Sequence, residues 1–235
     1  MLNNFKKDLQ ESYRYYHRIP HQRIDFRKVK KLYVNNNVIK HFKFCEYNED
    51  ELLMFLEKNH LIRLYRQLKE NNPDKDSCIE TLGVFIYDEK QSNILIAPEK
   101  IKITAEKYDI PIELFQKFVE IHEYAHFVMS NKINKNIDKI LALFIEESLA
   151  TLIALYYVKS SNYYNQFISF VNNQPIQYRI ALHRTDLKIE EIINFLFIWK
   201  NLKTEHSFFY IQNEKELLRF IFDKSFNKYN IDFII

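Results

Sequence analysis

The residues whose types and spacing best suit chemistry are His122-Glu123-Tyr124-Ala125-His126, an HExxH motif. Two histidines at i and i+4 of a helix lie one turn apart on one face, so both imidazoles can reach one ion. Zinc takes nitrogen ligands at about 2.0–2.1 Å in tetrahedral geometry, and a catalytic zinc keeps three protein ligands and leaves the fourth position to water. Glu123 follows the first histidine directly, so its carboxylate can reach that water and act as general base. The ion lowers the pKa of the water to roughly 7. The chemistry such a set performs is metal-assisted hydrolysis.

The motif needs a helix, and the surrounding sequence predicts one. Pro111 suits a first turn, where its missing N–H costs nothing. Leu114, Phe115, Phe118, Val119, His122, Ala125, His126 and Met129 then share one stripe at helical period, ending near Ser130. A stripe containing both histidines would bury two polar rings, and buried polar groups need partners. A metal supplies one. The bland alternative is a helix with two core or surface histidines.

A third ligand is required. A continuation of the type HExxHxxGxxH fails, because Met129 stands at the glycine position and Lys132 at the last histidine position. An aspartate ligand in a Gly-Thr-x-x-Asp segment fails too, because Gly83 is the only glycine in the chain. What remains is a glutamate from a later helix. Glu146 and Glu147 sit in the next periodic segment, within LALFIEESLATLIALYY, whose residues 149–157 are apolar almost all round and imply burial.

With these residues the chain resembles the gluzincin metallopeptidases, which include the thermolysin-like and aminopeptidase N-like families. Their pattern is HExxH followed by a helix carrying Glu-x-x-Ala. Glu147-Ser148-Leu149-Ala150 matches that core. The resemblance therefore implies a Zn2+ site formed by His122, His126 and Glu147, with Glu146 as the fallback ligand, and Glu123 as the catalytic base. Several such families hold a zinc histidine with an acid four residues after the ligand; here that position is Thr151. They also supply a donor for the oxyanion, for which Tyr156, Tyr157, His183, Arg184 and His206 are candidates. In zincins an edge strand ahead of the metal helix binds extended substrate. Thr81–Tyr87 and Asn93–Ile96 fit that place, and Gly83 marks either a bulge or a close approach by substrate. The resemblance covers about residues 80–157.

The remaining elements must position this set. Residues 3–16 read as a helix through Phe5, Leu9, Tyr13 and Tyr16, and Arg23–Val34 as a second, basic helix. Asn35–Asn37 is a turn signal. Asn48 caps a helix over Glu49–Lys58 that continues to about Glu70, and Asn71–Ser77 is a loop. Thr81–Tyr87 and Asn93–Ile96 read as a β-hairpin. Pro98 opens a short helix to about Tyr108. Asn131–Asp138 is a loop, Lys139–Lys159 a long helix, and Asn172–Pro175 a further loop. Thr185 or Asp186 caps a helix to about Lys200; a last helix spans about Asn213–Ser225, and the tail Tyr229–Ile235 is apolar.

Composition agrees with a mostly helical protein. The 235 residues include one glycine and five prolines, which excludes P-loops and GxGxxG loops and argues against an all-β fold. A hydrophobic content of 47% rules out a disordered chain. No apolar run approaches the ~18–20 residues that span a bilayer. The N-terminus has no apolar signal region, and Cys45 and Cys78 are isolated, which points to a reducing, cytoplasmic compartment; delivery as an effector is the other setting. Residues 1–45 carry eleven Lys/Arg against three Asp/Glu, a balance of +8 that leaves −5 on the rest of a chain of net charge +3. Such a segment could meet nucleic acid, or form a solvated face with contacts to the acidic remainder.

The resulting expectation is an α+β, predominantly helical, zincin-like fold with a small antiparallel sheet before the metal-binding helix. It has a helical N-terminal extension over 1–79, a catalytic core over 80–159, and a helical subdomain over 160–235 packed on that core. The expected activity is a zinc-dependent metallopeptidase acting on peptide or protein substrates. With no motif for recognising a terminal amine, the mode is that of an endopeptidase. The alternative is a non-catalytic zincin-like binding or regulatory module acting through its basic N-terminal region, and the presence of Glu123 favours the enzyme.

Overall fold

The computed structural model describes residues 1–16, 24–35, 82–87, 90–130 and 139–202. The helices expected over Glu49–Glu70 and Asn213–Ser225, the loops Asn71–Ser77 and Asn131–Asp138, and the tail Tyr229–Ile235 lie outside these residues. So do His206, Cys45 and Cys78.

The chain opens with α1 (Leu2–Tyr16), whose Phe5 and Leu9, one turn apart, are both fully buried. A three-residue 3-10 turn, Phe26–Lys28, is capped by Asp25, which accepts the Arg27 N–H at 3.1 Å. The expectation of a basic helix over Arg23–Val34 is corrected here. After the turn, Val29–Tyr33 is strand β1, paired in parallel with a strand more than sixty residues later. The Val29–Leu32 spacing imitates a helix face, and the pairing that overrides it is non-local.

The expected hairpin is present. Strand β2 (Gly83–Ile86) pairs antiparallel with β3 (Ser92–Ile96), from Gly83↔Ile96 to Ile86↔Asn93. With β1 on the other side of β3 the sheet order is β1-β3-β2, so the sheet is mixed rather than purely antiparallel, and among the described residues β2 is an edge.

Helices follow. Pro98 starts α2 (Pro98–Lys107), where its fixed φ suits the first turn. The turn to the next helix uses Asp109 at φ 53, a left-handed conformation that Asp tolerates better than most residues and that a nearly glycine-free chain must find elsewhere. Helix α3 spans Ile112–Met129, one residue inside the expected limits at either end, with Pro111 as its cap. Helix α4 covers Lys139–Val158 and α5 covers Tyr164–Asn172. A short helix α6 (Ile176–Arg179) runs into a 3-10 turn at Ile180–Arg184. Helix α7 spans Ile189–Leu202, starting later than Thr185 or Asp186, and at its start the Lys188 N–H donates to the Glu191 carboxylate at 2.9 Å.

One core joins these elements. Phe115 and Phe118 of α3 meet Phe167 and Phe170 of α5, with ring centroids as close as 4.9 Å. Ile192, Ile193, Leu196, Phe197 and Trp199 of α7 are buried beside α3 and α4. Two polar links tie the N-terminal segment into this body. Lys31 of β1 bonds Glu120 of α3 at 2.8 Å, and the Tyr157 hydroxyl of α4 donates to the Asp8 carboxylate of α1. Among the described residues no helix is long and apolar enough to cross a membrane.

Candidate metal centre

Helix α3 presents His122 and His126 on one face, and α4 packs against it with Glu147 buried in the interface. Their donor atoms form a nearly equilateral triangle. His122 Nε2 lies 3.1 Å from Glu147 Oε2, His126 Nε2 lies 3.4 Å from the same oxygen, and the two Nε2 atoms are 3.2 Å apart. Donors held at about 2.0–2.1 Å by a tetrahedral ion stand about 3.3–3.4 Å from one another. The three side chains therefore fit one face of such a tetrahedron. Two imidazole nitrogens and a carboxylate oxygen are also the donor types that zinc takes. Among the described residues they are the group of His, Cys, Asp and Glu side chains that could hold an ion.

The outer nitrogens face α4 side chains at longer range. His122 Nδ1 faces the Thr151 hydroxyl at 3.5 Å, a long and weak contact. His126 Nδ1 faces Glu146 Oε2 at 3.9 Å, and the other Glu146 oxygen accepts the Trp199 indole N–H at 2.9 Å. Of the two adjacent acids, Glu147 thus contributes to the triangle, while Glu146 lies behind His126. Ala150, one turn on from Glu147 in α4, is fully buried.

Glu123 stays out of the triangle but lines the same cavity. Burial pushes its carboxyl up to about 7, with the Glu147 charge adding and His122 and the Phe85 N–H opposing. Glu147 shows the contrast. Burial pushes it up as well, but the charges and hydrogen bonds of His126 and His122 outweigh that and hold it below the usual carboxylate range. Two neighbouring carboxyls are thereby driven in opposite directions, one toward holding a proton and one toward keeping its charge.

The cavity measures about 170 Å³. Its wall combines the site with apolar groups from β2 and the residue before it, α3 and α5, among them Leu82, Phe85, Phe118, Val119, Phe170 and Val171. The oxyanion candidates Tyr156, Tyr157, His183 and Arg184 are not on the described wall. Tyr157 is turned to Asp8 instead. A residue that sequence reasoning missed is there: Tyr178 of α6 stacks on His122, with centroids 5.8 Å apart and planes 25° from parallel. Nothing local signals it, since α6 is a single turn and reaches the site only through tertiary packing. No protein-family model, curated protein or solved structure matches the chain.

Proposed function

We propose that this chain is a zinc-dependent metallopeptidase with a zincin-like fold. The observation that carries the reading is the His122–His126–Glu147 triangle, with the Glu123 carboxylate on the wall of the same cavity. His122, His126 and Glu147 would hold the ion. Bound there, zinc supplies Lewis acidity and eases deprotonation of water.

The rest is the work of the chain. Glu123 takes a proton from the attacking water and returns it to the leaving amine nitrogen, so that one amide bond breaks and one water is consumed. The Glu147 carboxylate keeps its charge between the two imidazoles and orients them. Among the described residues strand β2 is an edge, and its Gly83, Val84 and Phe85 line the cavity. An extended peptide can add to such an edge by main-chain hydrogen bonds. The apolar wall excludes water and favours an apolar side chain beside the scissile bond. The isolated Cys45 and Cys78 fit a reducing compartment such as the cytoplasm.

The test is hydrolysis. Zinc-loaded protein is incubated with a complex peptide mixture, and new termini are read by mass spectrometry. Cleavage that depends on zinc and is lost in Glu123→Gln supports the reading. Zinc-loaded protein that cuts nothing in the mixture points instead to a non-catalytic module built on the same site.

A further inference from the structure

Gly83 is the only glycine of the chain, and the usual reasons for a glycine in a strand do not apply to it. The β2–β3 register runs one to one from Gly83↔Ile96 to Ile86↔Asn93, so there is no bulge at this residue. Its φ is not positive, so the backbone does not need the freedom that glycine alone has. A close approach remains, and what approaches is Glu123.

A Cβ built on Gly83 would stand 2.9 Å from Glu123 Cγ, 2.9 Å from Glu123 Oε1 and 3.0 Å from Val119 Cγ1. Carbon atoms in contact keep about 3.5–4.0 Å apart, so no side chain fits there without displacing its neighbours. Val119 and Glu123 are one turn apart on α3, which makes this the face that α3 lays on β2. The Glu123 side chain therefore lies directly over Gly83.

We propose that Gly83 is a positioning residue for Glu123: its missing side chain lets the carboxylate lie across β2, on the wall of the cavity that contains His122, His126 and Glu147. Its catalytic consequence rests on Glu123 acting as the base; the packing relation does not. A methyl group at position 83 meets Glu123 and Val119 first, and so moves the carboxylate. Misplacement of a reacting group by about 1 Å costs on the order of 100-fold in rate.

Four proteins test this: the natural chain, Gly83→Ala, Glu123→Ala and the double variant, each measured for denaturant midpoint and zinc content. Gly83→Ala is expected to lower the midpoint of the natural chain, and to lower that of Glu123→Ala by clearly less, because the Cγ and Oε1 contacts are then gone. Its zinc content stays that of the natural chain, while kcat on a cleaved peptide falls about 100-fold with KM little changed. Refolding of an otherwise insoluble Gly83→Ala chain by Glu123→Ala supports the proposal equally. An equal fall in both backgrounds, including failure to fold in both, overturns it, as does a Gly83→Ala protein with unchanged midpoint. Should the chain bind no zinc and cut no peptide, the peptidase reading falls, while the midpoints still report on the Gly83–Glu123 contact.

Discussion

Glu147 Oε2 stands 3.1 Å from His122 Nε2 across the contact of α3 with α4, although 25 residues separate the two in the chain. The carboxylate has reached the inner nitrogen of the imidazole, while Thr151, four residues further along α4, faces the outer one at 3.5 Å. One helix thus supplies both a donor toward the centre and a support behind it.

Of the two adjacent acids, only Glu147 points into the triangle. Glu147→Ala is expected to weaken zinc binding by more than about 100-fold, and Glu146→Ala by about tenfold, the scale of groups that orient a ligand from behind. Competition with a chromogenic chelator ranks them. The opposite order would assign the third donor to Glu146.

Glu123→Gln keeps the size of the side chain and removes the proposed base. The variant is expected to fold and to hold zinc as the natural chain does, with hydrolysis reduced at least about 100-fold. Its metal content, measured beside its turnover, checks both halves. Loss of zinc would show that Glu123 belongs to the donor set.

Tyr178 acts on His122 through its ring. Tyr178→Phe is expected to bind zinc as the natural chain does, and Tyr178→Ala about tenfold more weakly, because the imidazole loses the surface it stacks on. A loss of turnover in Tyr178→Phe at full zinc occupancy would instead assign its hydroxyl to the reaction.

Lys31 neutralises Glu120, whose side chain is only 5% exposed, and Gln116 donates to the same oxygen at 2.8 Å. Lys31→Met is expected to destabilise the fold by about 2 kcal/mol. That is less than a fully buried pair would cost, because Lys31 reaches solvent. Lys31→Met with Glu120→Gln is expected to recover most of it. Denaturant unfolding of the three variants decides, and an unchanged midpoint in Lys31→Met would show that β1 is held to α3 by apolar contacts alone.

The parts of the fold that could be read from the sequence are those with local signals. The 3.6-residue stripe from Leu114 to Met129 set the bounds of α3 to within a residue, and the β-branched runs on either side of Asp88–Ser92 pointed to the hairpin. HExxH and Glu-x-x-Ala each carry their own spacing, so the triangle was foreseeable once the two helices were known to pack. What escaped was non-local. β1 is Lys-rich, short and paired in parallel with a strand distant in sequence, so its Val29–Leu32 spacing looked helical. Tyr178 belongs to a single turn of helix brought to His122 by α5 and its loop. Gly83 was visible as an oddity, but its neighbour Glu123 lies 40 residues away and became apparent only with α3 laid against β2.

The most direct measurement is the metal content of the purified protein, by elemental analysis without added metal and after zinc is supplied, beside a His122→Ala/His126→Ala variant. The expected result is about one zinc per chain in the natural protein and none in the variant. A natural chain that takes up no zinc even when it is supplied, or a variant that retains it, would contradict the site.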